Sequence, residues 1–315
     1  MASDAMLDTP PPIVPPAPVV HPKDLPTIKR LLGSIRDSLS IWPDHAFDTT
    51  FSRSRLFGLE SALINDPAGI RHVLAANTAN YVRPAVLPRL LRPLIGRGLF
   101  LAEGGEWRRQ RRLLSPPFTP SHVNILLRHF IAAANDLIRQ LEGHSSVDLA
   151  DAYQIAALNA VLRALFSLPD QEERDRIGDL VRRYVTGPGR PQVFDAFAKS
   201  EASFAFALGS RRAFQKRWFS AVDALVTARR SAPRDAAHQD LLDLLIAVRD
   251  PETGGPIAAD EVRDQCATMI FAGYETRHAC CSGPPISSHS ITASRRGCEL
   301  KWQPFRLNAS QPSTT

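Results

Sequence analysis

A chain of 315 residues, 44% hydrophobic and 22% charged, has enough apolar content for a buried core, which excludes a wholly disordered or collagen-like polymer. Its 38 basic and 32 acidic residues leave a net charge of +6. No dense Lys/Arg tract with interleaved aromatics accompanies that excess, so a nucleic-acid partner is not expected.

Residues 1–22 carry prolines at 10, 11, 12, 15, 16 and 18 and are predicted to form a disordered leader. The leader has no basic start before an apolar core, so it does not read as a secretory signal. Leu56 to Leu63 alternates loosely and predicts a short hairpin. Asn65-Asp66-Pro67 then predicts a turn and helix start, with a short helix through Ala75. Pro84, Pro88 and Pro93 punctuate the next stretch. Ala85 to Ala102 is the most apolar run, yet Arg89, Arg92 and Arg97 cut it, so no membrane-spanning helix is expected.

Helical signals dominate from there. Helices are predicted over Trp107–Leu114, His122–Leu141, Asp148–Leu168 and Gln171–Val185. After a break at Gly187-Pro188-Gly189-Arg190-Pro191 come Phe204–Arg230 and Asp240–Arg249, then a turn cluster at 250–256. The last predicted helix begins at Asp260-Glu261, where negative charge suits a first turn. Its apolar face runs through Val262, Cys266, Met269, Ile270 and Gly273. The pattern fails at Arg277, and residues 278–315, with seven serines and no aspartate, read as an aberrant, disordered tail. Cys280, Cys281 and Cys298 lie in that tail and only Cys266 precedes it, with no C-x-x-C spacing anywhere. A reduced, cytoplasmic protein without a disulfide framework fits this usage.

Two constellations carry chemistry. Trp107 and Arg111 stand four residues apart on one helix face, an indole N–H beside a guanidinium, a double donor suited to carboxylates. The same spacing also suits a half-buried tryptophan covered by an arginine stem. In Ala272-Gly273-Tyr274-Glu275-Thr276, Gly273 allows a ligand near the backbone, and a carboxylate beside a hydroxyl can relay protons. Taken alone, the short motif reads better as an ordinary helix with a polar Glu-Thr pair at its surface.

The string Gly96-Arg97-Gly98-Leu99 through Trp107, Arg111 and Leu113-Leu114-Ser115-Pro116-Pro117-Phe118 resembles the C-helix region of cytochromes P-450. Asp240 through Thr276 resembles the approach to that family's oxygen-binding helix. The resemblance runs from about residue 40 to Thr276, to a soluble, bacterial-type heme-thiolate monooxygenase. It implies a mainly α fold with a small β-sheet, heme as cofactor, and insertion of one oxygen atom from O2 into an organic substrate. Trp107 and Arg111 would bind the heme propionates, Ala272 and Gly273 would border the oxygen pocket, and Glu275 and Thr276 would be catalytic. Substrate contacts would fall between Tyr81 and Leu94 and around Val185 to Phe206. A ferredoxin-type or reductase donor would supply electrons, and Arg108, Arg109 and Arg112 offer either a docking face for it or a plain solvated face.

The same comparison exposes a gap. No Glu-x-x-Arg pair follows Thr276, and Glu173-Arg174-Asp175-Arg176, which has that form, reads as surface charge. No Phe-x-x-Gly-x-Arg-x-Cys-x-Gly loop occurs; Cys298 lacks its surroundings and Cys266 sits on the oxygen-side helix, so no axial metal ligand is assigned. The chain is therefore expected to hold an incomplete cytochrome P-450 fold over residues 23–277. Truncation, frameshift or mis-splicing after about Thr276 would leave it inactive and poorly soluble. The alternative is a non-enzymatic helical interaction protein or pseudoenzyme fragment. Translating the downstream DNA in the other two frames checks the frameshift, which predicts both missing motifs there.

Overall fold

The computed structural model describes residues 43–56, 59–142, 149–192, 195, 208–231, 240–250 and 254–281. The Pro-rich leader, the start of the helix expected from Phe204 and the tail from 282 onward lie outside the described residues.

A short helix α1 (His45–Asp48) leads into an antiparallel hairpin of β1 (Phe51–Leu56) and β2 (Leu59–Ile64). Phe51 pairs with Ile64 and Leu56 with Leu59, so the hairpin is wider than the Leu56–Leu63 segment expected. Helix α2 (Pro67–Arg71) starts as its residues dictate: the Asp66 carboxylate accepts from the Gly69 N–H at 2.8 Å, and Pro67 takes a position that needs no N–H. A π-turn, His72–Ala76, extends it to the predicted end.

The proline-punctuated stretch corrects the sequence reading, because it is helix α3 (Val86–Ile95). Pro88 sits in the first turn, where no intrahelical N–H is required. Pro93 falls near the C-terminal end, and Gly96, at φ +59°, closes the helix with its N–H on the Arg92 carbonyl.

The remaining helices are α4 (Gly104–Leu114), α5 (Pro120–Leu141), α6 (Leu149–Phe166), α7 (Gln171–Thr186), α8 (Leu208–Ser231), α9 (Leu241–Ala247) and α10 (Ala259–Cys281). Asp240 starts α9 with a reciprocal capping box to Asp243. Helix α6 is the axis of the fold, packed along both α5 and α10, with α3, α8 and α9 closing around that layer. Leu94, Leu162, Leu165, Trp218, Val222, Leu242 and Ile270 are among its fully buried side chains. The α10 face predicted to be apolar is the one that packs: Val262, Cys266 and Ile270 are buried, with Met269 at the margin. Its backbone stays helical to Cys281, one turn past the break read at Arg277.

Two surfaces differ from expectation. Arg174 is not surface charge; it is buried and donates to Asn159 and to the Leu168 and Pro169 carbonyls, closing the α6–α7 turn. Glu173 and Arg176 do pair at the surface. On α5, Val123, Leu127, Phe130, Ile131 and Ile138 form an exposed apolar stripe, the aggregation hazard expected of this chain.

Candidate functional site

Helix α4 has two chemically distinct faces. Gln110, Leu113 and Leu114 turn inward and are buried. Trp107 and Arg111, one turn apart, are both exposed, Trp107 at 43%, and neither side chain has a partner among the described residues. The pair shares one exposed face of α4, as its four-residue spacing implies.

The inward face is tied to α10 by a chain of polar contacts that spacing alone does not reveal. Gln265 donates from Nε2 to Gln110 Oε1 at 2.8 Å, and its Oε1 accepts from the Leu99 N–H at 3.0 Å. Gln110 in turn donates to the Arg97 carbonyl and to Glu106. The Arg97 N–H donates to Asp264 at 2.8 Å. Arg109 is part of this system and not a solvated or docking residue: its guanidinium reaches Glu106, Asp250 and Glu261 at 2.7–2.8 Å. The Arg109 hydrogen bond, helped by Gln110, holds the Glu106 carboxyl below its usual range. The one advance signal was Glu106 three residues before Arg109, a spacing that permits a pair.

The Gly96-x-Gly98-Leu99 segment gains a physical meaning here. It lies directly on α10, and a Cβ on Gly98 would fall 2.0 Å from Thr268 Oγ1 and 2.8 Å from the Asp264 carbonyl. Gly98→Ala is expected to cost about 1–3 kcal/mol through overpacking, measured as a lower denaturation midpoint; an unchanged midpoint would mean that the segment does not seat on α10 this closely.

On α10, Ala272 is exposed and Tyr274 buried. A Cβ on Gly273 would lie 2.2 Å from Val161 Cγ2, so α6 packs at this glycine. Glu275 and Thr276 belong to the helical backbone of α10, and their side chains lie outside the described residues. Burial pushes the Cys266 thiol up to about 12, which keeps it protonated at neutral pH. Among the described residues there is no group of three or more His, Cys, Asp or Glu that could hold a metal ion. No helix among them is long and apolar enough to cross a membrane.

The two segments expected to flank a substrate meet in the structure. Asp195 is fully buried between Arg89 of α3, at 2.7 Å, and Arg211 of α8, at 2.8 Å. Tyr184 donates to the Leu90 carbonyl and Trp218 to the Leu94 carbonyl, so α7 and α8 both grip α3. Sequence reasoning missed this cluster, since Arg89 and Asp195 are 106 positions apart.

Comparison with known proteins agrees with this layout. The family model for Cytochrome P450 matches residues 49–279, well over half of the chain. Cytochrome P450 138 of Mycobacterium tuberculosis is 25% identical over 221 residues, covering 69% of this chain and 48% of that protein. Human cytochrome P450 4F12 is 24% identical over 234 residues, covering 67% and 44%. The solved heme domain of cytochrome P450DA superposes with a TM-score of 0.62 at 19% identity, over 82% of this chain and 57% of that one. The chain thus spans about half the length of the curated relatives it matches and shares their fold over that span.

Proposed function

The chain belongs to the cytochrome P450 family, and from that premise we propose that it carries the oxygen-side half of a heme monooxygenase site. The observation that carries this reading is the exposed Trp107–Arg111 pair on α4, without a side-chain partner among the described residues, on a helix latched through Arg109 and Gln110 to α10, the helix of Ala272, Gly273, Glu275 and Thr276.

The donor set fits the carboxylate edge of a heme. An indole N–H and a guanidinium one turn apart can each donate to a propionate, and the charge-assisted bond from Arg111 is the stronger. When bound, heme would supply the activation of O2 that inserts one oxygen atom into an organic substrate. Ala272, small and exposed, would border the oxygen pocket, whereas the space beside Gly273 is taken by Val161 of α6, so that glycine serves helix packing and not the pocket expected of it. Glu275 would take a proton from solvent and Thr276 would pass it on at the hydroxyl, toward the reacting oxygen. Arg89, Asp195 and Arg211 would hold α3 against α8, fixing the two segments that we assign to substrate contact.

The described residues do not supply the iron's thiolate: Cys266 is buried in its protonated form, no Glu-x-x-Arg pair follows Thr276, and the heme-cysteine loop does not occur in the 315 residues. We infer that these residues alone bind heme through α4 but do not complete monooxygenation, since axial thiolate favours O–O cleavage. An electron donor and a cytoplasmic location belong to the same proposal, as does the assignment of residues 23–277 to the P450-like part.

Hemin titration tests the reading. Arg111→Gln is expected to weaken binding about tenfold, a loss typical of a charge-assisted hydrogen bond, while Arg108→Gln on the neighbouring exposed position leaves it unchanged. Equal effects, or no Soret band in the unaltered chain, would sink the assignment.

A further inference from the structure

We propose that Arg109 is the positioning residue that sets the rotation of α4, and thereby aims Trp107 and Arg111. The proposal rests on the heme-site reading for what the pair is aimed at, and on geometry alone for the aiming itself.

At 3.6 residues per turn, Arg109 lies about 180° around α4 from the midpoint of Trp107 and Arg111. Any roll of the helix moves the two faces together. Arg109 uses all three guanidinium nitrogens: Nε and Nη2 reach the two oxygens of Glu106 at 3.1 and 2.8 Å, Nη2 also reaches Glu261 at 2.8 Å, and Nη1 reaches Asp250 at 2.7 Å. Glu106 belongs to α4 itself, so that contact holds the fork rigid on its own helix. Asp250 and Glu261 belong to the far side: one opens the turn that precedes α10, the other lies in the first turn of α10.

Both anchors are themselves fixed. The turn at Asp250 is closed by its N–H on the Gly255 carbonyl and by the Gly254 N–H on its own carbonyl. Glu261 rides on the helix that further along bears Ala272 to Thr276. The planar fork therefore converts the placement of α10 into a fixed angle of α4, which a lysine ammonium, a point charge on a flexible stem, does not do. Gln110 and Gln265 add a second, neutral tie beside it. Two of the four arginines of α4 thus have separate work: Arg109 points at carboxylates of this chain, and Arg111, on the reverse face, is left for carboxylates of a ligand.

Two conservative variants test this, because Arg109→Gln leaves three carboxylates facing one another and could unfold the chain. Arg109→Lys keeps the charge and loses the fork; Glu261→Gln keeps the fork and loses one anchor. The full chain is labelled with 5-fluorotryptophan, and the Trp107 resonance is assigned through Trp107→Phe. Both variants are expected to shift and broaden the Trp107 fluorine signal while that of the buried Trp218 stays in place. Each is also expected to weaken hemin binding about tenfold alone, yet to add little in an Arg111→Gln background, since residues acting through one another are non-additive.

A purely structural role predicts a lower melting temperature with both tryptophan signals altered alike, and hemin losses that add to those of Arg111→Gln. An unmoved Trp107 signal in both variants would overturn the proposal. Failure of the unaltered chain to bind hemin would overturn the heme-site reading alone, and the fluorine spectra would still decide the role of Arg109.

Discussion

Asp195→Asn is expected to lower folding stability by about 3–5 kcal/mol, read as a fall in the urea midpoint at neutral pH. Asp195 bridges Arg89 and Arg211, and all three side chains are almost completely buried. Removing its charge leaves two guanidinium groups in the interior facing an amide, and an uncompensated buried charge is far costlier than a missing surface pair. The same cluster predicts acid lability. Burial raises the Asp195 carboxyl, but the Arg211, Gln192 and Arg89 hydrogen bonds outweigh it and bring it down to about 2, from an ordinary 3.8. Because the folded-state value is the lower one, the stabilisation is fully present above about pH 4 and is lost as pH falls toward 2. Asp195→Asn should flatten this limb of the pH–stability curve; an unchanged limb would assign the acid sensitivity to other carboxylates.

Trp218→Ala is expected to cost a similar amount, about 3–5 kcal/mol, with α3 loosened from α8. Trp218 is fully buried, stacks on Phe214, which in turn stacks on Tyr184, and donates from Nε1 to the Leu94 carbonyl at 2.6 Å. That carbonyl lies in the last turn of α3, where helical acceptors lack intrahelical donors. Trp218→Phe separates the two contributions: it keeps most of the volume and removes the donor, so a loss of about 1–3 kcal/mol is expected from the orphaned carbonyl. Amide exchange in α3 should rise in both variants. If α3 stays as protected as before, the grip of α8 on this helix is not what orders it.

How far the fold could be read in advance depended on whether local sequence held the answer. The apolar period of α5 and α10, the Asp66-Pro67 start and the Asp240 start were legible because each is decided within a turn or two of chain. Helix α3 was hidden because Pro88 and Pro93 signal a break, although one sits in the first turn and the other near the end. Arg174 and Arg109 read as surface charge because their partners, such as Asn159 and Glu261, come from other helices. At the site, the shared face of Trp107 and Arg111 follows from their four-residue spacing, whereas the Gln110–Gln265 tie has no local signature. Gly98 was visible only as part of a family string; the structure supplies the reason, a loop pressed onto α10.

The account stands most directly on the ferrous–CO spectrum of the full chain loaded with hemin. It predicts a Soret band that weakens in Trp107→Phe and Arg111→Gln, with a CO-bound spectrum that is not of the thiolate type, because the described site offers propionate donors and a protonated, buried Cys266. A thiolate-type spectrum, or heme uptake indifferent to both substitutions, would contradict it.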